Sequence, residues 1–291
     1  MTYFPDYLKT YPNMHTSSPL HISLNRLDHG FRPHKHDFLE FSYVVSGSGA
    51  EWVNGEKHVM KPGTFTFVLP YQVHQLFTDP GEPLMLYNCM FSMDLLMEPA
   101  KEDGLLGLIA AFELPSFIQL SGEQDTRMLG LIEELFREYG GSEPWRSTML
   151  QVKLKEILIA FDRLRLATAA PAAMPIMQTQ RKNVWPIISY IHANYQDDLT
   201  LSDLSAAFAM SVSRISEVIK ETTGQNFVHL LHDLRLRHAC GLLVSTDMSV
   251  AEIALEVGYG SYKTFSRIFH EKKGVVPKDY RKQKPEGEFV P

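Results

Sequence analysis

Cysteine is nearly absent. The 291 residues contain two, Cys89 and Cys240, far apart in the chain. A secreted two-domain protein would usually use more, so the sequence points to a reducing compartment, the cytoplasm. Long apolar runs are missing too. None reaches the roughly 18 residues a membrane helix needs, so no membrane partner is expected. The amino-terminal MTYFPDYLKTYPNMH lacks the basic start and apolar stretch of a secretory signal. No glycine-rich phosphate loop and no nucleophile motif occur. The apolar content of 44% and charged content of 21% are those of a globular protein, long enough for two domains.

Basic residues are the minority, 28 against 34 acidic, and they are unevenly spread. Residues 181–284 hold 14 Lys and Arg against 11 Asp and Glu, whereas the remainder holds 14 against 23. Within 261–284 the count is 8 basic to 2 acidic. An acidic body with a basic carboxy-terminal part fits a nucleic-acid partner. Charge alone fits a cluster on a solvated face equally well.

The expected fold class is α+β and multidomain: a β-barrel with amphipathic helices, then an all-α domain. Residues 21–91 read as short strands. FLEFSYVV mixes aromatic and β-branched residues, Asn54-Gly55 is a hairpin signal, and KPGTFTFVLP opens on a Pro-Gly turn. Many short strands with turns between them predict a barrel or sandwich over 1–95. The period then changes. Met128, Leu131, Ile132, Leu135, Phe136 and Tyr139 recur at helical spacing, as do Leu150, Leu154, Ile157, Leu158, Phe161 and Leu164. The two helices lie in a region, 96–166, whose apolar faces serve packing on the barrel, a homodimer, or both. ATAAPAAMPIMQTQRK covers an expected linker at 167–182, an all-helical domain occupies 183–284, and 285–291 is an expected disordered tail.

The helical domain repeats itself. TLSDLSAAFAMSVSRISEVIKETTG (200–224) and SVAEIALEVGYGSYKTFSRIFHEKKG (249–274) align at an offset of fifty from Ser211 against Ser261, and one residue less before it. Thr200 and Ser249 are candidate N-caps, with Asp203 and Glu252 three residues on. Each unit is therefore a short helix, a tight turn and a second helix ending at glycine, which is helix-turn-helix logic. Ile215, Val218 and Ile219 share an inward face, so Ser213, Ser216, Glu217 and Lys220 oppose it. Phe265, Ile268 and Phe269 likewise turn Lys263, Ser266, Arg267 and His270 outward, with Thr264 beside them. These nine are the candidates for contact with double-stranded DNA in a major groove.

Residues 184–281 resemble the DNA-binding domain of AraC/XylS-type transcription regulators. The resemblance lies in DLRLRHACGLL, SVAEIALEVGY, SYKTFSRIFHEKKGVVP and the closing DYR. It implies two helix-turn-helix units, linked by a helix, entering successive major grooves. One departure is Glu217, at the position matching Arg267, where the family often has a basic or amide residue. It is read as accepting from a cytosine amino group, or as facing solvent or capping a neighbouring Arg. The first unit carries two basic and three acidic residues, so phosphate attraction is expected from Lys272, Lys273, Lys278, Arg281 and Lys282.

The amino-terminal half resembles the two cupin motifs, through Gly30, His34, His36, Glu40 and Gly47, and then Gly63, Pro70 and His74; Gln72 stands near where cupins often have glycine. Alternation along a strand turns His34, His36 and Glu40 to one side, and His74 arrives from another strand. The same four residues support three readings. They line an effector pocket, ligate a transition metal such as Fe, Mn, Ni or Zn, or form a satisfied polar network. A cupin-type metal enzyme is the outlying alternative, and no other feature supports it. Tyr3, Phe4, Tyr7 and Tyr11 mark an arm that is either a lid or an ordinary first strand.

The expectation is a non-enzymatic, one-component transcription regulator that responds to a small molecule, with a sugar as the first guess. The resemblance implies an activator, hence RNA polymerase as a partner, and the helices imply a homodimer. A barrel that only dimerises, without sensing, is the alternative.

Overall fold

The computed structural model describes residues 5–8, 10–14, 16, 19–96, 105, 115–169 and 184–282. Tyr3, Phe4, most of the expected linker and the expected tail lie outside the described residues. The described chain forms two compact units, one running to Ala169 and the other made of Thr16 and the residues from Val184 onward. No described helix is long and apolar enough to cross a membrane.

Among the described residues, the first unit has ten strands: β1 (Asp6–Leu8), β2 (Leu20–Leu27), β3 (Phe31–His36), β4 (Leu39–Ser46), β5 (Gly49–Val53), β6 (Glu56–Met60), β7 (Thr64–Val68), β8 (His74–Thr78), β9 (Leu84–Phe91) and β10 (Phe117–Gln119). They make two five-stranded sheets, ordered β1-β3-β8-β5-β6 and β10-β7-β4-β9-β2. Every pairing of these strands is antiparallel except β1 with β3. The two-residue turn at Asn54-Gly55 has both φ angles positive, 50° and 90°, so Val53 faces Glu56 directly across a tight hairpin. Gly47, at φ 85°, approaches so closely that a Cβ there would fall 2.0 Å from the Pro83 carbonyl oxygen.

The inner faces of the sheets meet around two chemically different poles. One is apolar: Val44, Met60, Leu76, Leu84 and Leu86 form a buried cluster. The other holds the histidines. Tyr11 of the amino-terminal arm is buried with Met14 and Phe38, its ring edge-on to Phe38 at 4.8 Å. The arm therefore contributes both an edge strand beside β3 and an aromatic plug.

Two helices, α1 (Gly122–Gly140) and α2 (Arg146–Ala169), pack on the outer face of the second sheet. Phe41 and Phe65 from the sheet stack at 5.1 Å, and Phe65 stacks on Phe161 of α2 at 4.8 Å. Met128, Ile132, Leu135, Leu150, Leu154, Ile157 and Leu158 are buried in this layer. At about 1.5–3 kcal/mol per buried large apolar side chain, this layer fixes the second sheet in place. Leu131 and Leu164, from the same sequence stripes, instead line a groove between the helices.

The second unit is all helical: α3 (Trp185–Ala193), α4 (Leu201–Phe208), α5 (Val212–Thr223), α6 (Phe227–Ser245), α7 (Val250–Glu256), α8 (Tyr262–Lys273) and α9 (Pro277–Lys282). Thr200 and Ser249 both form reciprocal capping boxes with Asp203 and Glu252. Buried Arg235 on α6 donates to the Tyr195 and Asp197 carbonyls at 2.7 and 2.8 Å and lies over the Tyr259 ring. It thereby pins the loop after α3 against the turn of the second repeat.

Candidate functional site

The barrel brings His34, His36, Glu40 and His74 together, by a different route from the one alternation suggested. β3 ends at His36, the chain turns at Asp37-Phe38, and Glu40 returns on β4 in the facing sheet. The carboxylate thus meets the imidazoles across the barrel rather than along one strand. His34 and His74 are directly paired between β3 and β8. Gln72 closes the turn before β8, its side-chain oxygen accepting from the Leu69 backbone N–H at 2.8 Å.

Each of the three imidazoles is anchored through Nδ1. His34 Nδ1 lies 3.0 Å from the Arg32 carbonyl oxygen, and His36 Nδ1 lies 2.8 Å from that of Phe38. His74 Nδ1 is 3.0 Å from a Glu51 carboxylate oxygen. Carbonyls and carboxylates only accept, so each Nδ1 carries its proton. His36 Nε2 then stands 3.2 Å from His74 Nε2 and 3.4 Å from Glu40. Glu40 also accepts from the Asn88 amide at 2.8 Å. One ligand atom each from His34, Glu40 and His74 lie within 4.8 Å of one another, all on buried side chains.

Burial governs the protonation of this cluster. Burial, aided by the neighbouring His74 charge, pushes His34 down to about 4 and His36 well below its ordinary value. For His74, burial pulls the other way from Glu51 and Glu40, and the carboxylates win, raising it. Burial raises Glu40. In Glu51, burial is outweighed by hydrogen bonds from His58 and His74, which hold it at about 2.

Glu51, His58, Thr66 and Asn88 belong to this polar pole and were not singled out from the sequence. His58 Nε2 reaches Thr66 at 3.0 Å and Glu51 at 3.3 Å, extending the network from β8 through β5 and β6 to β7. Their signal was present: the Asn54-Gly55 turn sets a register in which Glu51 faces His58.

In the helical unit, Ser213, Glu217, Lys220, Lys263, Thr264, Arg267 and His270 are exposed, and Ser216 and Ser266 are half-buried. Ile215, Val218, Ile219, Phe265, Ile268 and Phe269 point inward. α5 and α8 therefore present the outward faces that periodicity implied. Glu217 is held by Arg214 at 2.6 Å, so capping of a neighbouring arginine is what the structure shows. Arg267 pairs more loosely with Glu271, at 3.4 Å. Val212 and Tyr262, which occupy matching first positions of α5 and α8, are exposed apolar side chains that the sequence pattern did not single out.

Arg281 departs from the expected phosphate contact. Its guanidinium donates to the Leu243 carbonyl at 3.2 Å and to the Met248 carbonyl, closing the end of α6. It is committed to the fold rather than to phosphate. Lys272, Lys273, Lys278 and Lys282 are all exposed, and Lys272 and Lys282 pair with Asp233 and Asp279.

Paired helix-turn-helix units with both second helices exposed, in one chain with a barrel carrying a polar interior, define a DNA-binding transcription regulator. Known proteins place it more narrowly. Residues 20–158 match an AraC-like ligand binding domain and residues 204–283 a helix-turn-helix domain. The chain belongs to the AraC family of transcription regulators. The transcriptional activator RhaS of Shigella boydii serotype 18 is 23% identical over 272 residues, covering 93% of this chain and 94% of that one. The activator RhaR of Yersinia pestis is 21% identical over 253 residues, covering 87% and 85%. Among solved structures, the carboxy-terminal domain of AraT, a response regulator from Geobacillus stearothermophilus, is 34% identical over 37% of this chain and 90% of that one, with a TM-score of 0.34.

Proposed function

We propose that the barrel senses a small hydroxyl-bearing molecule and that the chain acts as a homodimeric activator in the cytoplasm. The observation that carries the sensing role is the polar pole of the barrel. His34, His36, Glu40 and His74 converge there, and the buried Asn88 Oδ1 has no hydrogen-bond partner among the described residues. A buried acceptor without a donor costs about 1–3 kcal/mol, which a ligand hydroxyl would recover. A sugar offers such hydroxyls in number. The relatives RhaS and RhaR are named as activators, which supports activation and, with it, contact with RNA polymerase.

α5 and α8 read two sites about one helical turn apart, roughly 10–11 base pairs. Ser213, Ser216, Lys220, Lys263, Thr264, Ser266, Arg267 and His270 make the contacts, with Val212 and Tyr262 against thymine methyls or sugar edges. A ligand shifts operator binding only through different affinities for the two arrangements of the regulator.

The dimer forms along α2. Val152, Ile159 and Leu166 recur every seven residues and are exposed at 51%, 36% and 50%. They flank a 620 Å³ groove whose lining includes Glu156 and Arg163. Antiparallel packing of two copies centred on Ile159 and Ala160 puts each Glu156 opposite the other copy's Arg163, an isologous contact.

The test is operator binding by the full chain, using DNA selected from a random pool, with and without a panel of sugars. The expected result is at least one compound that raises the melting temperature and changes operator affinity, with both responses lost in His36→Ala. If no compound changes either quantity, the barrel serves only to dimerise.

A further inference from the structure

We infer that the operator is chemically lopsided. The half-site under α5 consists of A·T pairs, recognised through thymine 5-methyl groups that meet Val212. The half-site under α8 carries guanine, recognised by Lys263 and Arg267. Both assignments rest on the proposed docking of α5 and α8 in successive major grooves.

The two repeats align position by position, so their reading faces compare directly. A helix lying in a major groove reaches base edges with the residues of its first turns. The aligned positions there are Val212 and Tyr262, Ser213 and Lys263, Ser216 and Ser266, and Glu217 and Arg267. α8 has a long cationic donor at two of these four places, and α5 has none. Guanine presents two acceptors, O6 and N7, and Arg or Lys is the side chain that meets them. Lys263 and Arg267 are exposed. The contact of Arg267 with Glu271, at 3.4 Å between two exposed side chains, is of a kind that contributes little and exchanges readily for a base edge.

α5 is equipped differently. Its one arginine, Arg214, is held by Glu217 at 2.6 Å, with Glu221 3.9 Å away. That pairing occupies the guanidinium and the carboxylate of the first two turns. The Ser211 hydroxyl accepts from the Arg214 backbone N–H and shares a hydrogen bond with the Ser213 hydroxyl at 3.1 Å. Ser216 is half-buried, and Lys220 lies in the last turn, where phosphate is a nearer partner than a base edge.

What remains at the front of α5 is the exposed isopropyl group of Val212. Thymine is the base that presents an apolar group in the major groove, and apolar side chains meet it. Pressing the two together removes both methyl surfaces from water. The short side chains at 213 and 216 let the helix approach the groove floor and bring Val212 to the bases. Tyr262, the aligned residue on α8, has an exposed ring that ends in a hydroxyl, which suits a phosphate or sugar oxygen.

The experiment selects operators from a random DNA pool with the full chain, with and without the sugar panel. Each thymine of the enriched operator is then replaced singly by deoxyuridine, which removes the 5-methyl and keeps every hydrogen-bonding group. The expected result is two half-sites about 10–11 base pairs apart. One contains guanine, and its preference relaxes in Arg267→Ala. The other is made of A·T pairs, and loss of at least one thymine methyl there weakens binding about three- to fivefold. That loss disappears in Val212→Ser. The substituted DNA leaves the protein untouched, so the methyl readout does not depend on a variant folding. A required guanine in both half-sites overturns the inference, as does a specific operator indifferent to every methyl of its A·T half. Either result leaves the reading of DNA by α5 and α8 standing. A methyl effect that persists in Val212→Ser overturns the role of Val212. Enrichment of no sequence overturns the inference and the docking together.

Discussion

The guanidinium of Arg281 reaches back 38 residues to the carbonyl of Leu243, at 3.2 Å, and also takes up the Met248 carbonyl. A basic residue at the end of a DNA-binding domain is thereby occupied with closing a helix. Hydrogen bonds from charged donors contribute about 1.5–3 kcal/mol. Arg281→Ala is expected to lower the stability of the helical unit by about that amount, read as a shift in denaturation midpoint. The slope of log affinity against log salt should stay unchanged; a fall of about 0.9 would instead make Arg281 a phosphate contact.

Gly258 sits at φ 86° in the turn of the second repeat, and a Cβ there would meet the Gln196 carbonyl oxygen at 2.5 Å. The first repeat solves the same turn with Ala209 at φ 50°. Gly258→Ala should cost about 1–3 kcal/mol, combining backbone strain with that close approach. Ala209→Gly should be neutral or mildly stabilising, since a left-handed alanine costs about 1–2 kcal/mol before the entropy of glycine is counted. Chemical denaturation of both variants gives the comparison. Equal losses would contradict it.

Arg267→Ala should weaken operator binding by about 1–3 kcal/mol if the guanidinium reads a guanine, with little change on random DNA. Equal loss on both would make it a backbone contact.

Glu217→Ala removes the partner that holds Arg214 at 2.6 Å. Binding to random DNA should strengthen several-fold and become more salt-dependent. If base preference changed at one operator position while random-DNA affinity stayed constant, Glu217 would be reading a cytosine after all.

Glu156→Arg should weaken self-association about tenfold, and the double exchange Glu156→Arg with Arg163→Glu should restore it, because the proposed antiparallel packing pairs the two positions. Sedimentation across a concentration series reads this directly. A monomer at all concentrations in the wild-type chain rejects the contact.

Local signals carried much of this structure. Asn54-Gly55 specified a hairpin, Thr200 and Ser249 announced two helix starts, and the 3.6-residue period separated the inward Ile215 and Phe265 from the outward Lys220 and Arg267. Those features depend on neighbours a few residues away. What escaped depended on distant partners. Nothing near Arg281 indicates Leu243, and nothing near His34 says that Glu40 will return from the opposite sheet. Glu51 and His58 lie between these cases. The hairpin register that places them opposite one another was available from the turn, but their convergence on His74 required β8 to lie beside β5.

The Arg214–Glu217 pair on α5 bears on how such a regulator finds its target. If α5 and α8 read DNA as proposed, a reading helix whose arginine is already paired grips the phosphate chain weakly, and on wrong sequence the protein would be held chiefly by its second helix. Residence on random DNA would then shorten, and more of the search would proceed by dissociation and re-landing than by sliding. Tight capture then waits for a site that engages both helices at once, which makes recognition resemble a two-key lock more than an adhesive surface.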